Sequence, residues 1–343
     1  MKRKCRTNLP SGLKRPKSVP TSKSSKFIIG ITMGDPSGIG PQITLKAISK
    51  FEKLADFIII GDSFVLNKAA KLLRRSSFIP HPSCLVDLKN VDHSQFKFGK
   101  LKAEYGRASL EYIDKALELI REKKIDALVT CPVSKEAINK AGFSFSGHTE
   151  YLAKQSNTTD FAMMLLNQKL KTVLLTRHIA ISKVPANINK KALIDTIKIT
   201  YNGLKSYFSI QSPRLVICGL NPHASDNGVI GNEENEVIKP VINKLKKTFP
   251  GLTGPAPADI AIAKTVQGEF DCCIAMYHDQ ALIPLKILGY NLGVNMTLGL
   301  PFIRTSPLHG TAFDIAASRN AKADSLIEAV KLATQCCQNQ KKD

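Results

Sequence analysis

Short apolar runs recur along this chain, and most close on a glycine-, proline- or histidine-bearing turn. Residues 27–32, 57–62, 127–130, 172–176, 215–218 and 272–276 are such runs and read as buried strands. Between them lie stretches with helical spacing. Leu110, Ile113, Leu117 and Ile120 form one stripe, with Glu111 and Lys115 placed for an i,i+4 ion pair. Leu193, Ile197, Tyr201, Leu204 and Phe208 form a second, Val237, Ile238, Val241, Ile242 and Leu245 a third, and a last helix is expected over residues 323–337. Residues 76–100 read as irregular, with His81 and His93 as solvated loop histidines. Strand, turn and helix in alternation predict an α/β fold with mostly parallel pairing and exclude an extended helical repeat.

The chain's 343 residues suffice for one large or two ordinary domains. No apolar run approaches the roughly 20 residues that span a bilayer. The net charge of +21 raises a nucleic-acid-binding protein as an alternative of a different class. Nine of the basic residues, however, fall in residues 1–26, which hold no acid and no aromatic side chain to stack a base. That segment reads as a disordered basic tail ahead of a catalytic unit over residues 27–343, and a nucleic-acid partner is disfavoured. RNA binding that survived removal of the tail would reverse the ranking. The eight cysteines form no Cys-x-x-Cys pair, and several lie in apolar runs. This points to a reducing, cytoplasmic setting with neither a disulfide framework nor a structural zinc site.

Residues 276–280 (Met-Tyr-His-Asp-Gln) follow an apolar run directly, and α/β enzymes place their chemistry at the carboxyl ends of strands. Lys286, Asn295 and Arg304 follow in a weakly charged segment, a set suited to an anionic, hydroxylated ligand; an ordinary loop with surface charges is the plain alternative. Residues 34–41 (Gly-Asp-Pro-Ser-Gly-Ile-Gly-Pro) mark a tight strand-to-helix turn, neither Walker A nor Gly-x-Gly-x-x-Gly, and read as structural. In residues 147–150, His148 and Thr149 suit a phosphate or carboxylate, while the residues alone slightly favour Thr149 or Ser146 as a helix N-cap. His178, His223 and His278 each follow a strand; their spacings of 45 and 55 residues prove no site, but parallel strand ends converge and three imidazoles can hold a divalent ion. Asp259 lies at a turn-rich junction, and Asp279 adjoins His278.

From about Ile29 to the C-terminus these motifs together resemble the 4-hydroxythreonine-4-phosphate dehydrogenase family of vitamin B6 biosynthesis; Ser37 and Gln42 stand where the family has Ala and Glu. Residues 309–316 (His-Gly-Thr-Ala-Phe-Asp-Ile-Ala) are also similar to the nucleotide loop of isocitrate and isopropylmalate dehydrogenases. The resemblance implies two interleaved α/β/α subdomains sharing a mixed, mostly parallel sheet, with the active site in the interdomain cleft. It implies NAD- or NADP-linked oxidation and decarboxylation of 4-phosphooxy-L-threonine to 3-amino-2-oxopropyl phosphate. A paralogue acting on 4-phospho-threonate or -erythronate would share nearly all the motifs. Carried over by position, His178, His223 and His278 would bind a divalent metal (Zn, Mg or Co), and His148, Thr149, Lys286, Asn295 and Arg304 the substrate. His309, Gly310, Thr311 and Asp314 would contact the dinucleotide. Asp259 and Asp279 are the candidates for the base or for orienting a ligand histidine. A homodimer with a site built by both subunits is implied as well.

Overall fold

The computed structural model describes residues 27–74, 84–144 and 147–341; the basic tail, His81 and Ser146 lie outside them. The strands are β1 (Ile28–Thr32), β2 (Asp56–Gly61), β3 (Leu85–Asp87), β4 (Ala127–Thr130), β5 (Ala162–Leu166), β6 (Lys171–Leu174), β7 (Leu215–Cys218), β8 (Leu252–Ala256), β9 (Cys272–Ala275), β10 (Val294–Leu298) and β11 (Ile303–Pro307). The helices are α1 (Gly40–Leu54), α2 (Ser63–Leu72), α3 (Ala103–Arg121), α4 (Lys135–Lys140), α5 (His148–Gln155), α6 (Val184–Asn187), α7 (Lys190–Phe208), α8 (Lys239–Leu245), α9 (Ala258–Val266), α10 (His278–Gly289) and α11 (Asp324–Gln340).

The chain divides into two compact units, Met1–Ser156 with Phe302–Cys337 and Asn157–Pro301 with Gln338–Asp343. In the first, the strands run β3-β2-β1-β4-β11 with every neighbour parallel. In the second they run β10-β5-β6-β9-β7-β8, where β5 is antiparallel to both neighbours and the other pairs are parallel. The pairing is thus mixed and mostly parallel. Strands covered on both faces need continuous apolar sequence, and β4, β7 and β9 are buried at every position. Each isoleucine sealed in β1 (Ile29, Ile31) contributes roughly 1.5–3 kcal/mol of transfer free energy.

Helix starts follow local chemistry. Asp62 accepts from the Val65 N–H at 3.2 Å to cap α2, Ser134 from Ala137 at 3.1 Å to cap α4, and Asn189 from Ala192 at 2.9 Å to cap α7. Four local expectations change. The stretch read as irregular contains β3, which pairs with β2. His93 is exposed, yet its ring stacks on Phe64 at 3.8 Å. Lys115 pairs with Glu118 at 2.6 Å rather than with Glu111, whose carboxylate accepts from Asn90. The third stripe begins as a wider π turn, Glu234–Ile238, before α8.

Gly106 lies where α3 packs on α4, and a Cβ there would run into the Ala137 carbonyl and meet the Ile138 nitrogen at 2.5 Å. Helix propensity alone favours alanine by about 1 kcal/mol, so the sign of Gly106→Ala separates propensity from packing. The expected outcome is a net loss of about 1–3 kcal/mol, seen as a lower urea midpoint at unchanged m. A gain would show that α3 and α4 part freely.

Candidate active site

In the first unit, the parallel ladder sets Arg304 of β11 opposite Leu128, two residues before Thr130 closes β4. Arg304 is fully buried. Its Nε and Nη2 donate to Thr130 Oγ1 at 3.2 and 2.7 Å, and Nη1 donates to Thr149 Oγ1 at 3.1 Å. Burial pulls the guanidinium pKa down to about 9, with Glu150 opposing. Helix α5 has Gly147 as its N-cap, so Thr149 does not cap it; that hydroxyl serves Arg304 instead. His148 opens α5. Its pKa is lowered, by burial first and then by Arg304 and Lys135, and its Nδ1 is sealed from solvent with no hydrogen-bond partner among the described residues. Lys135, at the start of α4, lies across Gly147: its Cε would be 3.3 Å and its Nζ 3.8 Å from a Cβ placed there. Two cations, two hydroxyls and a neutral imidazole make an electropositive recess suited to a phosphate or carboxylate. Sequence reading passed over Lys135, because Pro-Val-Ser-Lys looks like any capped helix start.

Also in the first unit, residues 34–39 join β1 to α1. Gly34 has φ 72°, a backbone that side chains disfavour. Asp35 is completely buried; its Oδ1 accepts from the Ser37 N–H at 2.9 Å and its Oδ2 has no partner among the described residues. Burial raises its pKa to about 7 against the opposing Ser37 and Gly38 hydrogen bonds. This turn braces the expected nucleotide loop. The Ile39 N–H donates to the Thr311 carbonyl at 2.9 Å, and Gln42 Nε2 donates to the Ala316 carbonyl. His309 Nδ1 lies 3.2 Å from the Gly310 carbonyl oxygen, and burial lowers the His309 pKa. Gly310 has open space around it and Asp314 is exposed.

In the second unit, His178 follows β6 and His278 opens α10, with ring centroids 5.7 Å apart. They line a pocket of about 280 Å³ with Arg177, Tyr277 and Asp279. His278 Nδ1 and Asp279 Oδ1 are 2.7 Å apart, so Nε2 is the ring nitrogen that this contact does not engage. His223 begins five consecutive residues with left-handed backbone, φ 47–69°. Among the described residues, no three His, Cys, Asp or Glu side chains lie close enough to hold a metal ion, so the structure brings together two of the three histidines. Asp259, exposed in the first turn of α9, lines a separate groove of about 520 Å³ with Ile262, Pro284 and Ile287. Lys286 is exposed on α10, its Nζ 5.8 Å from the Tyr290 ring centre. Asn295 is buried on β10, and its Oδ1 has no partner among the described residues.

The family model described as pyridoxal phosphate biosynthetic protein PdxA matches residues 53–333. A 4-hydroxythreonine-4-phosphate dehydrogenase of Sulfurihydrogenibium sp. (strain YO3AOP1) is 44% identical over 313 residues, covering 89% of this chain and 97% of its own. A D-threonate 4-phosphate dehydrogenase of Pectobacterium atrosepticum is 37% identical over 322 residues, covering 90% and 98%. The crystal structure of a 4-hydroxythreonine-4-phosphate dehydrogenase from Klebsiella pneumoniae matches with a TM-score of 0.83 at 35% identity, over 92% of this chain and all of that one.

The Asp35 carboxyl yields a pH test. Its pKa rises from 3.8 unfolded to about 7 folded, so the folded chain keeps a proton that the unfolded chain releases. Its stabilisation is complete below the lower value, falls by about 1.4 kcal/mol per pH unit between the two, and is gone above the upper one. Measured against Asp35→Asn, wild-type stability should fall across that window and then level off. A pH-independent difference would mean that Asp35 is ionised in the fold.

Proposed function

The chain belongs to the PdxA family of pyridoxal phosphate biosynthetic proteins, and from that membership we propose that it oxidises and decarboxylates 4-phosphooxy-L-threonine with NAD or NADP in vitamin B6 biosynthesis, in the cytoplasm. The observation that carries this reading is the buried Arg304 seated on Thr130 and Thr149 beside His148, an anion recess in a dehydrogenase family.

In this reading Arg304, Lys135, Thr149 and His148 hold the anionic end of the substrate. An arriving phosphate or carboxylate offers acceptors to the guanidinium and favours a proton on the His148 ring. Lys286 and Asn295, in the second unit, are the further candidate substrate contacts; the Asn295 amide oxygen, without a partner among the described residues, would accept from a substrate hydroxyl or ammonium. Oxidation at C3 gives a β-keto acid, and loss of its carboxylate leaves 3-amino-2-oxopropyl phosphate. The dinucleotide, contacted by His309, Gly310, Thr311 and Asp314, supplies the hydride acceptor. His178, His223 and His278 would hold a divalent cation (zinc, magnesium or cobalt), which supplies Lewis acidity toward the substrate oxygen. Two of these imidazoles, His178 and His278, lie side by side, and Asp279 engages Nδ1 of His278; among the described residues no third ligand joins them. Asp279 is accordingly the residue that orients His278; Asp259, in the other groove, is not in that pocket.

A homodimer belongs to the same proposal. Ile260, Ile283, Ile287 and Tyr290 on and beside α9 and α10 are 47, 57, 79 and 73% exposed, an apolar face of the kind that subunits bury. Ile287→Asp should convert dimer to monomer in sedimentation velocity, and wild-type sedimentation of that variant would remove this face as the interface.

The D-threonate 4-phosphate dehydrogenases at 37–39% identity make the hydroxyl analogue the second reading. The deciding experiment follows NADH absorbance with 4-phosphooxy-L-threonine and, beside it, 4-phospho-D-threonate, with and without added divalent metal. Turnover of the amino substrate is expected, with KM raised about tenfold or more in Arg304→Lys, since a lysine cannot reproduce the guanidinium fork. Preference for the analogue would move the protein to the second reading, and turnover of neither would remove the proposed activity.

A further inference from the structure

We propose that Glu234 and Gln280 are positioning residues that brace the His223 turn to the His278 turn; the proposal rests on the reading of these histidines as metal ligands. The completely buried Glu234 carboxylate takes three donors from two consecutive residues. Its Oε1 accepts the backbone N–H groups of Leu220 and Asn221, both at 2.8 Å, and its Oε2 accepts from Asn221 Nδ2 at 2.9 Å. The same Asn221 amide donates to Glu233 Oε2 at 2.8 Å. The turn is packed onto this carboxylate: a Cβ at Gly219 would lie 3.0 Å from Glu234 Oε1 and 2.8 Å from the Ala224 Cα. From Asn221 the chain passes through Pro222 directly into His223 and its left-handed run, so the anchored residues are those that aim the imidazole.

Gln280 supplies the other half. Its Nε2 donates to the Gly219 carbonyl at 2.9 Å, and its Oε1 accepts the Met276 N–H at 2.7 Å. One side chain therefore holds the end of β9, two residues before His278, and the start of the turn that ends in His223. Neither residue has its side chain in the histidine pocket, and neither has a part in the chemistry described above. Together they link the turns that carry two histidines 55 residues apart in sequence.

The test uses the full-length protein as wild type, Glu234→Gln, Gln280→Met and His223→Ala. Two readouts besides turnover are followed: amide hydrogen exchange over residues 218–224 in metal-free protein, and zinc affinity by calorimetry. Glu234→Gln keeps the shape but leaves one acceptor oxygen for three donors. Exchange at Leu220 and Asn221 should speed up about tenfold to a hundredfold. Zinc affinity should fall by about the same factor in both brace variants, with kcat reduced and KM for NAD unchanged. A merely structural role would lower the melting temperature and leave zinc affinity as it is, which overturns the proposal. Wild-type exchange at residues 220–221 in Glu234→Gln overturns it too. Should His223→Ala bind zinc as tightly as wild type, the metal reading fails by itself; the exchange result then still decides whether Glu234 holds the turn.

Discussion

Burying the Arg304 guanidinium is the constraint on which the first unit's site depends. Moving such a cation out of water costs several kcal/mol unless its donors are satisfied. Here they are met in part by Thr130 at the end of β4 and Thr149 in the first turn of α5. Both hydroxyls are in reach only in the observed β4–β11 register, since a slip of one residue would send Arg304 to the opposite face of the sheet. The parallel ladder, the start of α5 and the charge of the recess are therefore a single arrangement. Burial also leaves the cation poorly solvated and ready for an anion.

A different cost governs the second unit. Five consecutive non-glycine residues, 223–227, hold left-handed backbone. At about 1–2 kcal/mol each this costs roughly 5–10 kcal/mol. The three hydrogen bonds to the buried Glu234 carboxylate, at about 1.5–3 kcal/mol each, fix Leu220 and Asn221, which lead through Pro222 into this run. The strain falls on a histidine that the family resemblance marks as a ligand, where a fixed imidazole is worth its conformational cost.

Much of the fold was legible because burial on both faces forces continuous apolar sequence. Residues 127–130, 215–218 and 272–275 form strands where isoleucine, valine, leucine and cysteine cluster. The stripe from Leu193 to Phe208 is α7. Legibility fails where an outcome depends on a distant partner. Three-residue β3 is a strand only because β2 offers it an edge. Thr149 looked slightly more like a cap, and only Arg304, 155 residues away, decides otherwise. Lys115 had two acids within reach, and Asn90 took one of them. No local rule would place five consecutive left-handed residues at His-Ala-Ser-Asp-Asn, since His, Asp and Asn visit that region singly rather than in runs, and Glu234 acquires its role only through that turn. The candidate histidines and Arg304 stood out by residue type and family resemblance, whereas Lys135, Glu234 and Gln280 required coordinates.

The loop of residues 309–316, proposed above to contact the dinucleotide, is held in place by main-chain contacts rather than by a Rossmann glycine fingerprint. Three distant segments of the first unit meet there through the main chain. The Ile39 N–H, at the start of α1, is one of the amides that a helix leaves unsatisfied, and the Thr311 carbonyl takes it. The Gly99 N–H donates to the Ser37 carbonyl at 2.8 Å, and Gly99 approaches Phe313 so closely that a Cβ would sit 2.7 Å from its oxygen. Gly38 approaches Thr311 in the same way, at 3.1 Å. Gly38, the glycine of the 34–40 turn that faces the loop, is needed for the closeness of these two backbones. Asp35 belongs to this logic: its carboxyl ties down the Ser37 N–H inside the turn, which holds Gly38 and Ile39 at the height where the loop docks.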